Sequence, residues 1–335
     1  MIKVHAKTLI IRRRDIERLV DMRQALRIAE ETFRYHGVGR VQMPPKIYLH
    51  LDRFHGDFRA MPAYIDATGS CGIKWVNIHP DNRLHNLPSV MAVIILSSPE
   101  TGLPLAVMDG THITNLRTGA SGGVAAKYLA NRDSSSIGLV GCGVQAKNQL
   151  LALKEQFPIK SVSVYDSDKI RSDHFIKNNA IRGVRFEVCA SVSGCVRGKD
   201  IVVTTTPSRK PIVKAEWISP GTHINAIGAD AKGKEELESL LFRKAKIFVD
   251  DVVQASHSGE INVPIAKGVM RSSDICATLG EVIAGIKKGR LSRKEITIFD
   301  STGLAIQDMA LAGYVYSQLK KGLARKRIRK IDLIN

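Results

Sequence analysis

Residues 136–146, Ser-Ile-Gly-Leu-Val-Gly-Cys-Gly-Val-Gln-Ala, are of the types and spacing that cradle a pyrophosphate. An apolar run leads into Gly141-x-Gly143-x-x-Ala146. Such a turn lets backbone N–H groups at a helix start approach phosphate, because neither glycine carries a side chain. Val144, Gln145 and Ala146 open that helix and complete the fingerprint. A second apolar run (Val162, Val164, Tyr165) ends in Asp166, where a Rossmann unit places the carboxylate that binds the ribose 2′-hydroxyl of NAD. The same carboxylate repels a 2′-phosphate and so favours NAD over NADP, while Lys169 and Arg171 just downstream argue the other way.

Three further places carry reactive types. Arg59 and Lys74 sit inside apolar, strand-like stretches. A guanidinium binds a carboxylate in bidentate fashion, and a lysine in apolar surroundings loses basicity and becomes usable for acid–base work. An outward strand face or a structural ion pair is the competing reading for both. Arg117 and Thr118 lie near a helix start, where donors meet phosphate or carboxylate; an ordinary surface arginine is the alternative. Asp230 follows an apolar run that ends at Gly228, and in open α/β sheets ligands bind beyond the carboxyl ends of strands. A turn-forming aspartate is the alternative there. The same rule makes the hydroxyls and backbone of Thr204, Thr205, Thr206 and Ser208 candidates for lining the nicotinamide. Asn225, Ala226 and Gly303 complete the candidate cofactor contacts.

These residues need two kinds of scaffold. Residues 22–36 have a helical period capped by Asp21, followed by short alternating stretches at 47–51, 59–64, 72–77 and 89–96. A turn at Pro99-Glu-Thr-Gly102 returns the chain along 105–109. The expectation is an antiparallel sheet covered by helix, with a helix over 112–130 leading on. From 137 the pattern alternates strand and helix, with strands at 137–140, 161–165, 201–205, 223–226, 247–249 and 297–299. That is the rhythm of a doubly wound parallel sheet. A long amphipathic helix over 304–319 is expected to dock back on the first part. The domain expectation is therefore 1–115 with 304–335 as an α+β substrate and dimerisation domain, and 116–303 as a Rossmann dinucleotide-binding domain.

The chain's 335 residues allow two cores. No apolar run approaches the ~18 residues of a membrane span, so no membrane partner is expected. The five cysteines have no metal-ligand spacing, so no metal is expected, and a reduced, cytoplasmic setting is the simplest reading. Fifty Lys and Arg against 32 Asp and Glu give a formal charge of +18, concentrated at the ends: Arg12, Arg13, Arg14, Arg18, Arg23 and Arg27, then Lys320, Lys321, Arg325, Lys326, Arg327, Arg329 and Lys330. Such a tail can neutralise nucleic-acid phosphates. No aromatic residue is interleaved with the C-terminal run, so a solvated surface is the preferred reading and nucleic acid is not an expected partner.

From about Met22 to Tyr316 the order of motifs resembles the ornithine cyclodeaminase/μ-crystallin family. The resemblance rests on Met43-Pro-Pro-Lys46, Arg59-Ala-Met-Pro, Lys74-Trp-Val-Asn-x-His-Pro, Leu116-Arg-Thr, Gly141-Cys-Gly-x-Gln-Ala, His223-Ile-Asn-Ala-x-Gly-x-Asp230, Gly259-Glu-Ile and Phe299-Asp-Ser-x-Gly. Within the family the chain is most similar to the archaeal alanine dehydrogenase branch. The resemblance implies a homodimer built through the antiparallel domain and a substrate held between domains. It makes Lys74 the active-site lysine and Asp230 the catalytic aspartate. Lys46 becomes a basic position near substrate or cofactor, Arg117 a carboxylate holder and Asp166 the ribose-binding acid. Arg59 stands where cyclodeaminases carry a glutamate, and an arginine there repels an ornithine ammonium and favours a small 2-oxo acid. The implied activity is NAD-dependent interconversion of L-alanine with pyruvate and ammonia. The alternatives are ornithine cyclodeaminase, an imine or N-substituted amino-acid reductase, and a μ-crystallin-like nicotinamide- or small-ligand-binding protein without turnover.

Overall fold

The computed structural model describes residues 7–322 and 328–333. The chain divides into two compact units, Met1–Arg117 with Leu304–Asn335, and Thr118–Gly303. The first boundary falls two residues later than the expected 115/116, inside a continuous helix.

The first unit is a sheet backed by helices. Its strands are β1 (Thr8–Ile11), β2 (Val41–Gln42), β3 (Ile47–Leu51), β4 (Gly56–Ile65), β5 (Ser70–Ile78), β6 (Val90–Ser97), β7 (Pro104–Asp109) and a late strand, β18 (Arg329–Ile331). Their order is β18-β1-β7-β6-β5-β4-β2, with β3 also paired to β4. The meander from β4 to β7 is antiparallel, as the alternation and the turn at 99–102 require. The sheet as a whole is mixed, because β1 runs parallel to β7. A short helix α1 (Arg13–Glu17) leads to α2 (Met22–Gly37), where Asp21 caps by accepting from Gln24 N at 2.7 Å.

The helix Ala305–Lys320 packs on β4, β5, β6 and α2. It was expected to be amphipathic, but every residue from Ala305 to Ala312 is buried. It therefore runs through the core, and its charged residues there need partners. The C-terminal basic run is likewise not all tail. Arg329 and Lys330 lie on β18, an edge strand, where exposed cationic side chains discourage further strand pairing. Arg325, Lys326 and Arg327 lie outside the described residues.

The second unit is a doubly wound sheet. Helix α3 (Gly110–Leu129) enters it, followed by β8 (Ser136–Val140), α4 (Val144–Gln156), β9 (Ser161–Tyr165), α5 (Lys169–Asn179) and β10 (Arg185–Val188). The remaining strands are β11 (Ile201–Thr204), β12 (Arg209–Val213), β13 (His223–Ala226), β14 (Glu235–Leu237), β15 (Ala245–Val249), β16 (Ile275–Thr278) and β17 (Ile296–Asp300). Eight of these form an all-parallel sheet in the order β10-β9-β8-β11-β13-β17-β15-β16, while β12 and β14 pair separately. Strands buried on both faces read as runs rich in Val, Ile and Leu, which is why β8, β11 and β17 were legible. The winding reverses between β8 and β11, and the carboxyl ends of these two strands are the place for a ligand. No helix among the described residues is long and apolar enough to cross a membrane.

Candidate active site

In the first unit, strand parity decides where the two basic strand residues point. Arg59 shares the helix-covered face of β4 with Met61, Ala63 and Ile65, all nearly inaccessible. Lys74 lies opposite Met61 on β5 and is wholly buried, so both residues face inward. The Ala305–Lys320 helix brings Asp308 against Lys74. Lys74 Nζ lies 2.6 Å from Asp308 Oδ2, and Arg117 Nε donates to Asp308 Oδ1 at 3.2 Å. Lys74 Nζ also donates to Thr114 Oγ1 at 3.3 Å. Burial is the main reason the Lys74 ammonium is pushed down to about 7. The charge of Arg117 pushes it further the same way, Asp308 resists, and Lys46 adds a smaller push. Arg59 is anchored by Asp57, which accepts from Nε at 2.7 Å and from a terminal nitrogen at 3.2 Å, and its guanidinium lies 5.1 Å from the Tyr48 ring. The cluster thus holds Arg59, Arg117, Lys46 and a weakly basic Lys74 against two carboxylates, a composition suited to a small carboxylate ligand.

Asp308 was absent from the sequence reading. Its signal was present, as a lone carboxylate in the apolar run Ala305-Ile-Gln-Asp-Met-Ala-Leu. A charge that a helix buries must be paired, but nothing local names its partner.

In the second unit, Gly141 adopts φ +93°, a left-handed conformation. A Cβ there would lie 2.9 Å from Thr205 Oγ1. Thr205 follows β11 and closes the turn, its hydroxyl donating to the Gly141 carbonyl at 3.1 Å. Gly143 is the N-cap of α4 and provides no side-chain cap, while Gly143 and Val144 are exposed. The first N–H groups of α4 are therefore presented outward with the helix dipole behind them. Asp166 directly follows β9, and its Oδ2 accepts from Cys142 N at 2.9 Å, which ties the acid to the glycine turn. This arrangement fits a dinucleotide: an open helix start for the pyrophosphate and a carboxylate one strand away for the ribose.

Asp230 ends the segment beyond β13. It is three-quarters buried and its Oδ1 lies 2.6 Å from Lys234 Nζ, a partner the sequence reading did not name. Five expected cofactor contacts are otherwise engaged or buried. Asn225 is inaccessible, donating to the Gly122 carbonyl at 3.0 Å and to Gln149 Oε1 at 3.3 Å, with its Oδ1 3.0 Å from His223 Nε2. It braces the sheet from within. Ala226 is sealed in the core beside it. Ser208 donates to the Lys210 carbonyl at 2.6 Å and shapes its own turn. Gly303 is buried, with its N–H taken by Asp250 Oδ2 at 2.7 Å. Thr118 is buried too, and its carbonyl accepts from Gln149 Nε2 at 2.8 Å.

A parallel, doubly wound unit with an open glycine turn and a ribose-side acid defines a dinucleotide-binding α/β protein of the Rossmann class. More narrowly, the chain belongs to the ornithine cyclodeaminase/mu-crystallin family, whose profile matches residues 6–322. It is 53% identical to an alanine dehydrogenase of Archaeoglobus fulgidus over 96% of this chain and 98% of that protein. An archaeal alanine dehydrogenase dimer with bound NAD superposes with a TM-score of 0.93 at 52% identity, covering 98% of this chain and 100% of the other. The Δ1-pyrroline-2-carboxylate reductase of Thermococcus litoralis, solved with NADH and L-proline, gives 0.89 at 36% identity over 94% and 98%.

Proposed function

We propose that this chain is an NAD-dependent L-alanine dehydrogenase, oxidising L-alanine to pyruvate and ammonia and running the reverse reductive amination. The observation that carries the reading is Arg59, held inward on β4 by Asp57 and set on the same sheet face as Lys74. A cation fixed there suits the carboxylate of a short amino acid and opposes the distal ammonium of ornithine.

In this reading Arg59 and Arg117 hold the substrate carboxylate, with Lys46 adding charge. Lys74 in its neutral form takes the substrate's ammonium proton, leaving the nitrogen lone pair free to support loss of hydride from Cα. NAD, held at the Gly141–Ala146 turn and at Asp166, supplies the hydride acceptor. Asp230 takes a proton from the water that adds to the imine carbon and returns it as ammonia leaves. We further propose a homodimer in a reduced, cytoplasmic setting. The uncovered face of the first sheet carries a cross-strand row, Ile47, Ala60, Trp75 and Val93, whose three large side chains are all exposed, as an interface for a second copy requires.

Purified protein with NAD and either L-alanine or L-ornithine tests the reading. Net NADH with alanine is expected; proline from ornithine without net NADH would place the chain among the cyclodeaminases. Tight NAD binding with no amino-acid turnover would leave a binding protein. Arg59→Ala is expected to raise the KM for pyruvate about 10²-fold through loss of a charge-assisted contact. A KM within threefold of the parent would remove Arg59 from substrate binding.

A further inference from the structure

We propose that Glu236 is a positioning residue whose carboxylate ties the loop after β11 to the loop after β13 and so fixes Asp230 against the cofactor wall. The inference rests on the dehydrogenase reading for its consequence, but the tie itself is a matter of geometry. Strands β11 and β13 pair in register to Thr204 opposite Ala226, and Ile227 N still donates to the Thr204 carbonyl at 3.0 Å. Beyond that point the ladder ends, and the half-buried amides of Thr206 and Gly228 need other acceptors. Glu236 supplies both. Its Oε1 accepts from Thr206 N at 2.5 Å and its Oε2 from Gly228 N at 2.9 Å. One fully buried carboxylate therefore spans the two loops, two residues before Asp230.

The loops meet too closely for any side chain at 228. A Cβ on Gly228 would lie 2.1 Å from the Thr206 carbonyl oxygen and 2.6 Å from the Glu236 carboxylate. Glu236 is itself held from beneath, because Glu260 Oε1 accepts from the backbone N–H of Glu236 at 2.7 Å and of Leu237 at 2.6 Å. Neither glutamate has a Lys or Arg ion-pair partner among the described residues. Burial raises both carboxyls, and the charge of Glu236 pushes Glu260 further up. Two carboxylates buried without a cation are costly where apolar side chains would pack. What they provide is acceptor geometry that no apolar residue offers: two oxygens aimed at two loops.

Glu236→Gln tests this at nearly constant shape. The amide keeps one acceptor and turns an NH2 group toward the other backbone N–H, so one loop is released. Asp230 then loses its fixed place for the water-addition step, and kcat for alanine oxidation is expected to fall about 10²-fold. The KM for alanine should stay within about threefold, since Arg59 and Arg117 are untouched. The primary isotope effect on kcat with 2-deuterated alanine should fall toward unity as water addition, the step Asp230 serves, becomes limiting. Amide exchange should quicken in peptides covering 204–208 and 226–232, but not in those covering β8 and β9. A variant with wild-type exchange in both loops overturns the tie. So does a lower melting temperature with unchanged kcat and isotope effect per folded molecule, which would mark a merely structural residue. Should Glu236→Gln not fold, Gly228→Ala pries the same loops apart and is expected to give the same signature. If the parent protein reduces no NAD with alanine, the dehydrogenase reading fails, and the exchange measurement still decides the tie.

Discussion

Lys74→Met is expected to lower kcat/KM for alanine oxidation by about 10³-fold, while the Kd for NAD stays within about twofold. The size follows from what the side chain is asked to do. Alanine arrives as its ammonium form, and hydride cannot leave Cα until nitrogen has a free lone pair. A buried lysine pushed down to about 7 is the base at hand near neutrality. Its protonation gives the pH dependence a definite sign. Below about pH 7 Lys74 is charged and cannot accept a proton, so kcat/KM for oxidation should climb as pH rises through that value. Reductive amination, which needs the charged form as donor, should decline over the same range. Lys74→Arg keeps the positive charge but cannot deprotonate, so it should abolish the inflection along with the rate. A Lys74→Met enzyme keeping more than a tenth of parental activity would remove Lys74 from the chemistry. The same group leaves a mark on stability. Its folded value lies below its unfolded value of 10.5, so the folded protein carries the penalty of a buried charge below about pH 7 and loses that penalty as pH rises toward 10.5.

What was legible in the sequence was what local chemistry dictates. The Gly141–Ala146 turn, Asp166 after its apolar run and the Asp21 cap each rest on residues within a turn or two of one another, and each stands where the pattern put it. Strands β10, β14, β16 and β18 were missed because each is a short strand at a sheet edge or in the separate two-stranded ladder, without the continuous apolar run that marks the equally short β11. The direction of Arg59 and Lys74 was open for a different reason. Alternation assigns them to a common kind of face, but only the docked helix says which face is covered. Asp308 and Lys234 illustrate the two distances over which pairing hides. Lys234 is only four residues from Asp230 and was overlooked in a turn, whereas Asp308 lies 191 residues from Arg117 and meets it only through the tertiary fold. Asn225 stands at a strand end, where a ligand would lie, while its side chain is hydrogen-bonded in the core, a direction that only the packing of α3 and α4 sets.

Asp308→Asn is the substitution expected to disturb both stability and catalysis most widely. The parent carboxylate answers two cations at once, Lys74 at 2.6 Å and Arg117 at 3.2 Å, all three nearly devoid of water. Removing one partner of such a group leaves the others buried and uncompensated, a loss of about 3–5 kcal/mol. For a unit of this size that corresponds to a fall of roughly 10 °C in Tm. The two cations respond differently. Lys74 can shed its proton, so the inflection near pH 7 should move to lower pH. Arg117 cannot, and it keeps its charge without the acceptor that oriented it. Carboxylate binding should therefore weaken, with KM for alanine and for pyruvate rising together. A charge-balance control separates these effects. In Lys74→Met/Asp308→Asn the lysine charge is gone as well, so the double variant should recover part of the lost Tm relative to Asp308→Asn alone while remaining inactive. Additive losses in Tm, or an inflection left at pH 7 in Asp308→Asn, would mean that the carboxylate packs against Lys74 without governing its proton.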